Sequence, residues 1–138
     1  HATVQMIKLL NKNIDLILQE YIKIEYDVRA VVLNNQVIAS MKRNVIDGEF
    51  RSNASLGATT EEFELTELER IECLKSASLV NGKLIGVDFM PAKDREKEQP
   101  YILEVNASPG FAGIQKTIKS KNVLKTIFEH FMDRANWS

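Results

Sequence analysis

The sequence is poor in cysteine, proline and glycine: its 138 residues include one Cys, three Pro and six Gly. One cysteine cannot form an internal disulfide bond, so we expect a fold held by a hydrophobic core in a reducing, cytoplasmic location. No apolar run approaches the roughly 20 residues that a membrane-spanning helix requires. The near balance of 18 basic and 19 acidic residues also argues against a general binder of nucleic acids or membrane surfaces.

The composition is that of a globular protein, with 44% hydrophobic and 27% charged residues, and the length predicts one domain. Asn34-Asn35 separates two β-favouring runs and predicts a hairpin turn, because Asn tolerates positive φ. Thr66 and Glu69 have the spacing of a capping box and predict a helix start. From such signals we predict a helix tail at 2–13, strands at 14–24, 27–33, 36–43, 83–90 and 101–106, and helices at 66–79, 111–118 and from 122.

Hairpins dominate this order, so we predict an α+β fold with a mostly antiparallel sheet and helices packed on one face. Residues 44–62 lack periodicity and predict a long loop with room for one short strand. The charged segment 91–100 predicts a solvated hairpin loop. Apolar residues at helical spacing are expected to face the core: Leu68, Ile71, Leu74 and Ala77 in one helix, and Leu124, Ile127, Phe128 and Phe131 in the last.

Three oxygen-bearing side chains occur at the ends of two predicted strands. Asp88 ends one apolar run, and Glu104 and Asn106 lie two residues apart on the next, so the latter two point to the same face. If the strands are neighbours, the three side chains converge into a set that suits Mg²⁺ (or Mn²⁺) bound to a nucleotide. The alternative is three solvated strand-end residues. Their apolar surroundings favour the metal, since uncompensated buried carboxylates are costly.

Arginines form a second candidate group. Arg29 and Arg43 lie on the strands of the first hairpin, and Arg51 lies in the long loop beside Ser52 and Asn53. Guanidinium groups suit phosphate and carboxylate, and they could stabilise charge on a transferring phosphoryl group. For the loop residues an ordinary surface loop is an equally good interpretation. For the arginines, the alternative is surface salt bridges to nearby acids, namely Asp27, Asp47 and Glu49.

Together these segments resemble the RimK-type ATP-grasp ligases from about residue 15 to about residue 130. The motifs that carry the resemblance are Gln19-Glu20-Tyr21-Ile22-Lys23, Asp27-Val28-Arg29, Met41-Lys42-Arg43, Gly48-Glu49-Phe50-Arg51-Ser52-Asn53, Gly86-Val87-Asp88, Leu103-Glu104-Val105-Asn106-Ala107-Ser108-Pro109-Gly110 and Gly113-Ile114. One departure follows Asn53, where a basic, glycine-paired segment is usual and this chain has Ala54-Ser55-Leu56-Gly57-Ala58.

The resemblance implies that residues 1–138 are one partial ATP-grasp domain, the C-terminal subdomain, without the N-terminal domain and the subdomain that carries the glycine-rich loop. ATP would lie between the two subdomains. The implied roles are adenine binding by Glu20, Tyr21, Ile22 and Lys23, ribose contact by Asp27, contact with phosphates or the acyl intermediate by Arg51, Ser52 and Asn53, metal binding by Asp88, Glu104 and Asn106, and catalysis by Arg29, Arg43 and Arg51.

The implied reaction is ATP-dependent carboxylate–amine ligation through an acyl phosphate. Glutamate or a similar amino acid would be joined to the C-terminal carboxylate of a protein or peptide, such as a ribosomal protein. The segment alone is expected to be inactive, and homo-oligomerisation stays open. Two alternatives remain: a non-catalytic nucleotide-binding or interaction module, and a ligase with a small-molecule acceptor.

Overall fold

The structure is a computed structural model that describes residues 2–10, 20–44 and 59–137. Within these ranges no helix has the length and apolar character needed to cross a membrane. The helices are α1 (Ala2–Leu10), α2 (Glu67–Leu79), α3 (Ala112–Thr117) and α4 (Val123–Met132), followed by a 3₁₀ turn (Arg134–Trp137). The strands are β1 (Tyr26–Leu33), β2 (Gln36–Asn44), β3 (Thr60–Glu62), β4 (Leu84–Met90) and β5 (Tyr101–Asn106).

The five described strands form one sheet in the order β3-β2-β1-β4-β5, and each neighbouring pair is antiparallel. This confirms the predicted α+β class and antiparallel sheet. The β1–β2 turn forms as the sequence predicts, because Asn34 and Asn35 have φ of 45° and 63°, as the tight hairpin turn with two left-handed residues requires. Most of the strand predicted at 14–24 lies outside the described residues, and residues 20–24 form the connector into β1.

Helices cover both faces of the sheet, which corrects the prediction that they pack on one face. The reason is that β1 is apolar on both sides. Val28, Ala30 and Val32 pack with Cys73 and Ala77 of α2. Alternating with them, Val31 and Leu33 join the opposite cluster. That cluster is completed by residues of β2, α3 and α4 and of the segment between these two helices, namely Ala39, Met41, Ile114, Ile118, Val123 and Ile127.

The capping box of α2 is confirmed, since Thr66 accepts from the Glu69 amide and Glu69 accepts from the Thr66 amide. Its predicted inward face is only partly correct. Glu69, Cys73, Ser76 and Ala77 are the buried residues of α2, whereas Ile71 is 37% exposed. Small side chains let the helix approach bulky sheet residues, and this orientation leaves Ile71 outside.

The last helix also differs from its predicted face. Asn122 caps α4 by accepting from the Lys125 amide, and Ile127 is buried as predicted. However, Phe128 is 67% exposed. The buried residues of α4 are Val123 and Ile127. Both belong to the hydrophobic cluster on the α3 side of the sheet.

Candidate functional site

Strand register brings the predicted site residues of β1, β4 and β5 into one row. Asp88 lies opposite Arg29 on one side and opposite Glu104 on the other. Asn106 lies opposite Gly86, two residues along β4 from Asp88. Directly opposed residues and their i+2 neighbours share a face. The sheet therefore places Asp88, Glu104 and Asn106 on one face, beside Arg29.

Four charged side chains on that face form a continuous network. Arg43 donates from Nε and Nη2 to the two carboxylate oxygens of Asp27, each at 2.7 Å. Arg29 donates to both oxygens of Asp88 at 2.7 and 2.6 Å. The two pairs are joined by Arg43 Nη2, which lies 3.0 Å from Oδ2 of Asp88. We name Asp27, Arg29, Arg43 and Asp88 the site quartet; its formal charges sum to zero.

Arg43 and Asp27 form the buried part of the quartet, with Arg43 4% and Asp27 3% exposed. Burial alone lowers the pKa of Arg43, but its hydrogen bond to Asp27 and the charges of Asp88 and Asp27 outweigh this, so that the pKa is raised above its ordinary value. Arg43 is therefore held charged by its two acidic partners. The salt-bridge alternative from the sequence is realised for Arg43 and Asp27, but as a buried pair and not as a surface one.

A close backbone contact shapes the site beside Asn106. A Cβ built on Gly86 would lie 2.7 Å from Cβ of Pro109 and 3.7 Å from Cβ of Asn106. The segment after β5 therefore folds over β4 at Gly86, and a side chain there would push Pro109 away. This contact explains why the Gly86-Val87-Asp88 and Asn106–Pro109 motifs belong together.

The three predicted metal donors lie on one face of the sheet. Asp88 and Glu104 supply carboxylates from adjacent strands, and Asn106 supplies an amide oxygen on the same face. Among the described residues there is no group of three or more His, Cys, Asp and Glu side chains placed to hold a metal. Two carboxylates and an amide leave positions for phosphate oxygens, as Mg²⁺ with a nucleotide requires.

The predicted adenine-binding residues lie in the connector that leads into β1. Glu20, Tyr21 and Lys23 are exposed and Ile22 is half-buried. Ile22 and Lys23 line a cleft of about 490 Å³ whose other walls include Pro91 and Tyr101. Arg51, Ser52 and Asn53 lie outside the described residues.

Sequence reasoning missed the role of Arg95. The loop 91–100 was expected to be a solvated hairpin tip, but Arg95 donates to both carboxylate oxygens of Glu69 at 2.8 Å. It also donates to the Glu64 carbonyl at 2.7 Å and lies over the Phe63 ring, 4.3 Å from its centroid. No local pattern marks this arginine, because Glu69 is 26 residues away along the chain.

Comparisons with known proteins identify the family of this chain. Residues 1–130 match the model of the RimK-like ATP-grasp domain. A "Probable alpha-L-glutamate ligase" of Vibrio atlanticus is 40% identical over 109 residues, which are 79% of this chain and 35% of that protein. The protein with the same name from Pseudomonas putida is 40% identical over 118 residues, 84% of this chain and 38% of that protein. The chain thus spans little more than a third of these relatives.

Solved structures support the fold. The ATP-grasp ligase PsnB, complexed with a phosphomimetic variant of its minimal precursor, Mg and ADP, superposes with a TM-score of 0.62 at 22% identity, over 80% of this chain and 33% of that one. The D-alanine–D-alanine ligase of Bacillus anthracis complexed with ATP gives a TM-score of 0.50 at 22% identity, over 78% of this chain and 34% of that one. The resemblance seen in the sequence motifs is confirmed: this chain belongs to the RimK-like ATP-grasp family.

Proposed function

We propose that this chain is the nucleotide- and metal-binding part of an ATP-dependent carboxylate–amine ligase that attaches glutamate, or a similar amino acid, to a protein or peptide carboxylate through an acyl phosphate. The observation that carries the proposal is the row in which Asp88 lies between Arg29 and Glu104, with Asn106 on the same face. Acids and arginines side by side suit a reaction between anions.

Within this proposal, Asp88, Glu104 and Asn106 hold Mg²⁺ or Mn²⁺. The bound cation would neutralise phosphate charge during acyl-phosphate formation. Arg29 lies opposite Asp88 in the row, and its guanidinium would offer a planar set of donors to the oxygens of a phosphate held by these residues.

Nucleotide contacts complete the proposal. Glu20, Tyr21, Ile22 and Lys23 hold adenine at the connector into β1. Asp27 was expected to contact the ribose, but it is buried and both of its carboxylate oxygens accept from Arg43, so a ribose contact would have to compete with that pair. Arg51, Ser52 and Asn53 meet the phosphates or the acyl intermediate. The connector suits this role because it is exposed and leads directly into the strand that carries Asp27 and Arg29.

The substrates are inferred from the relatives. The names of the Vibrio and Pseudomonas relatives support glutamate as the amino acid, and the precursor bound to PsnB supports a peptide acceptor. A ribosomal protein is one acceptor to examine. A small-molecule acceptor remains the alternative, and it predicts turnover with small acids and none with peptides.

The test is ATP turnover by the full-length protein that carries this chain, with Mg²⁺, glutamate and a panel of acceptor peptides and small acids. Phosphate release and the mass of the acceptor are measured together. We expect Asp88→Asn to reduce turnover at least a hundredfold, on the scale of losses from electrostatic catalysis.

The matched control is Asp94→Asn, which neutralises an aspartate of the β4–β5 loop that pairs with Lys97 at 3.1 Å. It should leave turnover unchanged. Undiminished turnover in a folded Asp88→Asn protein would contradict the metal assignment. Nucleotide binding without phosphate release under any condition would instead indicate a non-catalytic binding module.

A further inference from the structure

Asp88 is already neutralised by arginine in this structure. Oδ1 accepts from Arg29 Nε at 2.7 Å, and Oδ2 accepts from Arg29 Nη2 at 2.6 Å and from Arg43 Nη2 at 3.0 Å. A carboxylate offers about four lone-pair positions, so these three hydrogen bonds use most of them. A cation that binds Asp88 must therefore compete with a guanidinium for the same oxygens.

The two arginines are not equally able to give way. The Arg43 side chain is 5% exposed and is bound to two carboxylates. If it moved, Asp27 would remain buried without its bidentate partner, which is costly. The Arg29 side chain is 18% exposed, and in the described part of the chain both of its guanidinium hydrogen bonds go to Asp88.

The net charge on this face also indicates that Arg29 is the arginine that a cation would displace. The site quartet is neutral as it stands, so an incoming cation is attracted only by Glu104 within the row. Removing the Arg29 contact restores one negative charge at Asp88, next to Glu104. Two adjacent carboxylates then face the cation, which is the arrangement that hard divalent ions prefer.

We propose that Arg29 is a resident counter-ion of Asp88 that is exchanged for the divalent cation, whereas Arg43 stays with Asp27 as a positioning residue. In the exchange, two N–H···O hydrogen bonds of Arg29 are replaced by metal–oxygen contacts. The guanidinium turns to the phosphates that arrive with the metal. The exchange rests on the metal site of the proposed function but not on the ligase reaction, whereas the turn toward phosphate rests on both.

The test is Mn²⁺ affinity without nucleotide, measured by electron paramagnetic resonance on the full-length protein. Arg29→Gln should bind Mn²⁺ more tightly than wild type, on the order of tenfold, because it removes a competing positive charge at contact distance. Arg70→Gln is the matched control: it removes one exposed arginine of α2 that lies 3.9 Å from Glu67, and it should leave the affinity unchanged.

Two further variants locate the effect. Arg29→Gln combined with Asp88→Asn should lose the gain, because the released carboxylate is the source of the extra affinity. Arg29→Lys keeps the charge but not the bidentate contact, so it should show a smaller gain and serves if Arg29→Gln fails to fold. Equal or weaker Mn²⁺ binding by folded Arg29→Gln or Arg29→Lys would overturn the proposal, and so would a gain that survives Asp88→Asn.

ATP turnover separates this inference from the proposed function. Tighter Mn²⁺ binding together with reduced turnover in Arg29→Gln supports both. Tighter Mn²⁺ binding in a protein that turns over no ATP supports the exchange at Asp88 and rejects the ligase. Normal ligase activity in wild type with unchanged Mn²⁺ affinity in Arg29→Gln rejects the exchange alone.

Discussion

Two arginine–carboxylate clusters of this molecule look alike but differ in their surroundings. One is the site quartet on the α3 side of the sheet, where Arg29 holds both oxygens of Asp88. The other, which we name the latch, is the pair of Arg95 and Glu69 with Phe63 beneath the guanidinium. Both use two parallel N–H···O bonds, the strongest common form of this contact.

The two clusters differ in what surrounds their carboxylates. In the latch, Glu69 also accepts from the Thr66 amide at 3.0 Å, and Arg95 also donates to the Glu64 carbonyl. The hydrogen bond to Glu69 raises the pKa of Arg95 above its ordinary value. By contrast, the row through Asp88 continues to Glu104, an exposed acid. The two clusters therefore differ in that a further carboxylate lies beside the site quartet on the same face of the sheet, whereas the hydrogen bonds of the latch end at the helix cap and a backbone carbonyl.

The largest expected effect that tests this comparison is the loss of stability in Arg43→Ala. The change leaves Asp27 buried without its bidentate partner, so the free energy of unfolding should fall by about 3–5 kcal/mol. Urea denaturation followed by circular dichroism measures it. A loss below about 1 kcal/mol would show that Asp27 finds water or another partner, and that the quartet is looser than the structure indicates.

Glu69→Ala should have the next largest effect, lowering the free energy of unfolding by about 3 kcal/mol. The Glu69 carboxylate is 1% exposed, and the change removes both its ion pair with Arg95 and its part in the capping box of α2. Glu67→Ala, at an exposed position two residues earlier, is the control and should change stability by less than about 0.5 kcal/mol. Nucleotide-independent Mn²⁺ affinity should be equal in Glu69→Ala and wild type if the protein is folded. A marked change would mean that the latch and the site are coupled.

Arg29→Ala should cost only about 1 kcal/mol of stability, because Asp88 keeps its hydrogen bond from Arg43 and the Arg29 side chain is partly exposed. The comparison with Arg43→Ala in the same denaturation experiment is the informative one. If the two variants lose equal stability, the division of roles between a fixed and an exchangeable arginine is wrong.

The smallest expected effect concerns Cys73, a buried residue of α2 one helical turn after Glu69. Burial, and then the charges of Glu69 and Glu72, raise the pKa of its thiol to about 12. A thiol with a raised pKa stays protonated at pH 8, so a thiol-specific reagent should not react with the folded protein. Reaction should occur only on unfolding in denaturant. Rapid modification under native conditions would show that this side of the sheet opens.

Local features of this fold were predictable from the sequence. The Asn34-Asn35 turn and the Thr66–Glu69 capping box depend on residues that lie close together in the chain, so their spacing carries the information. The neighbouring strands of Asp88 and Glu104 follow from a hairpin, which is also local. These elements needed no knowledge of the rest of the molecule.

The remaining features depend on contacts between distant segments. Arg29 and Asp88 are 59 residues apart, and their pairing follows from β1 lying beside β4, which no periodicity reveals. The rotation of α2 that buries Cys73 depends on the sheet beneath it. The roles proposed for Glu20–Lys23, Asp27 and the metal donors remain predictions, and Arg51, Ser52 and Asn53 lie outside the described residues.

Glu104 lies on β5, an edge strand of the described sheet with β4 as its one neighbour. Edge strands open at a lower free energy than central ones, so amide hydrogens of β5 should exchange with solvent faster than those of β1. A cation that joins Glu104 to Asp88 would close this edge. Binding of the cation should then slow deuterium uptake by the amides of β5, so hydrogen exchange at this edge strand would measure whether the cation is bound.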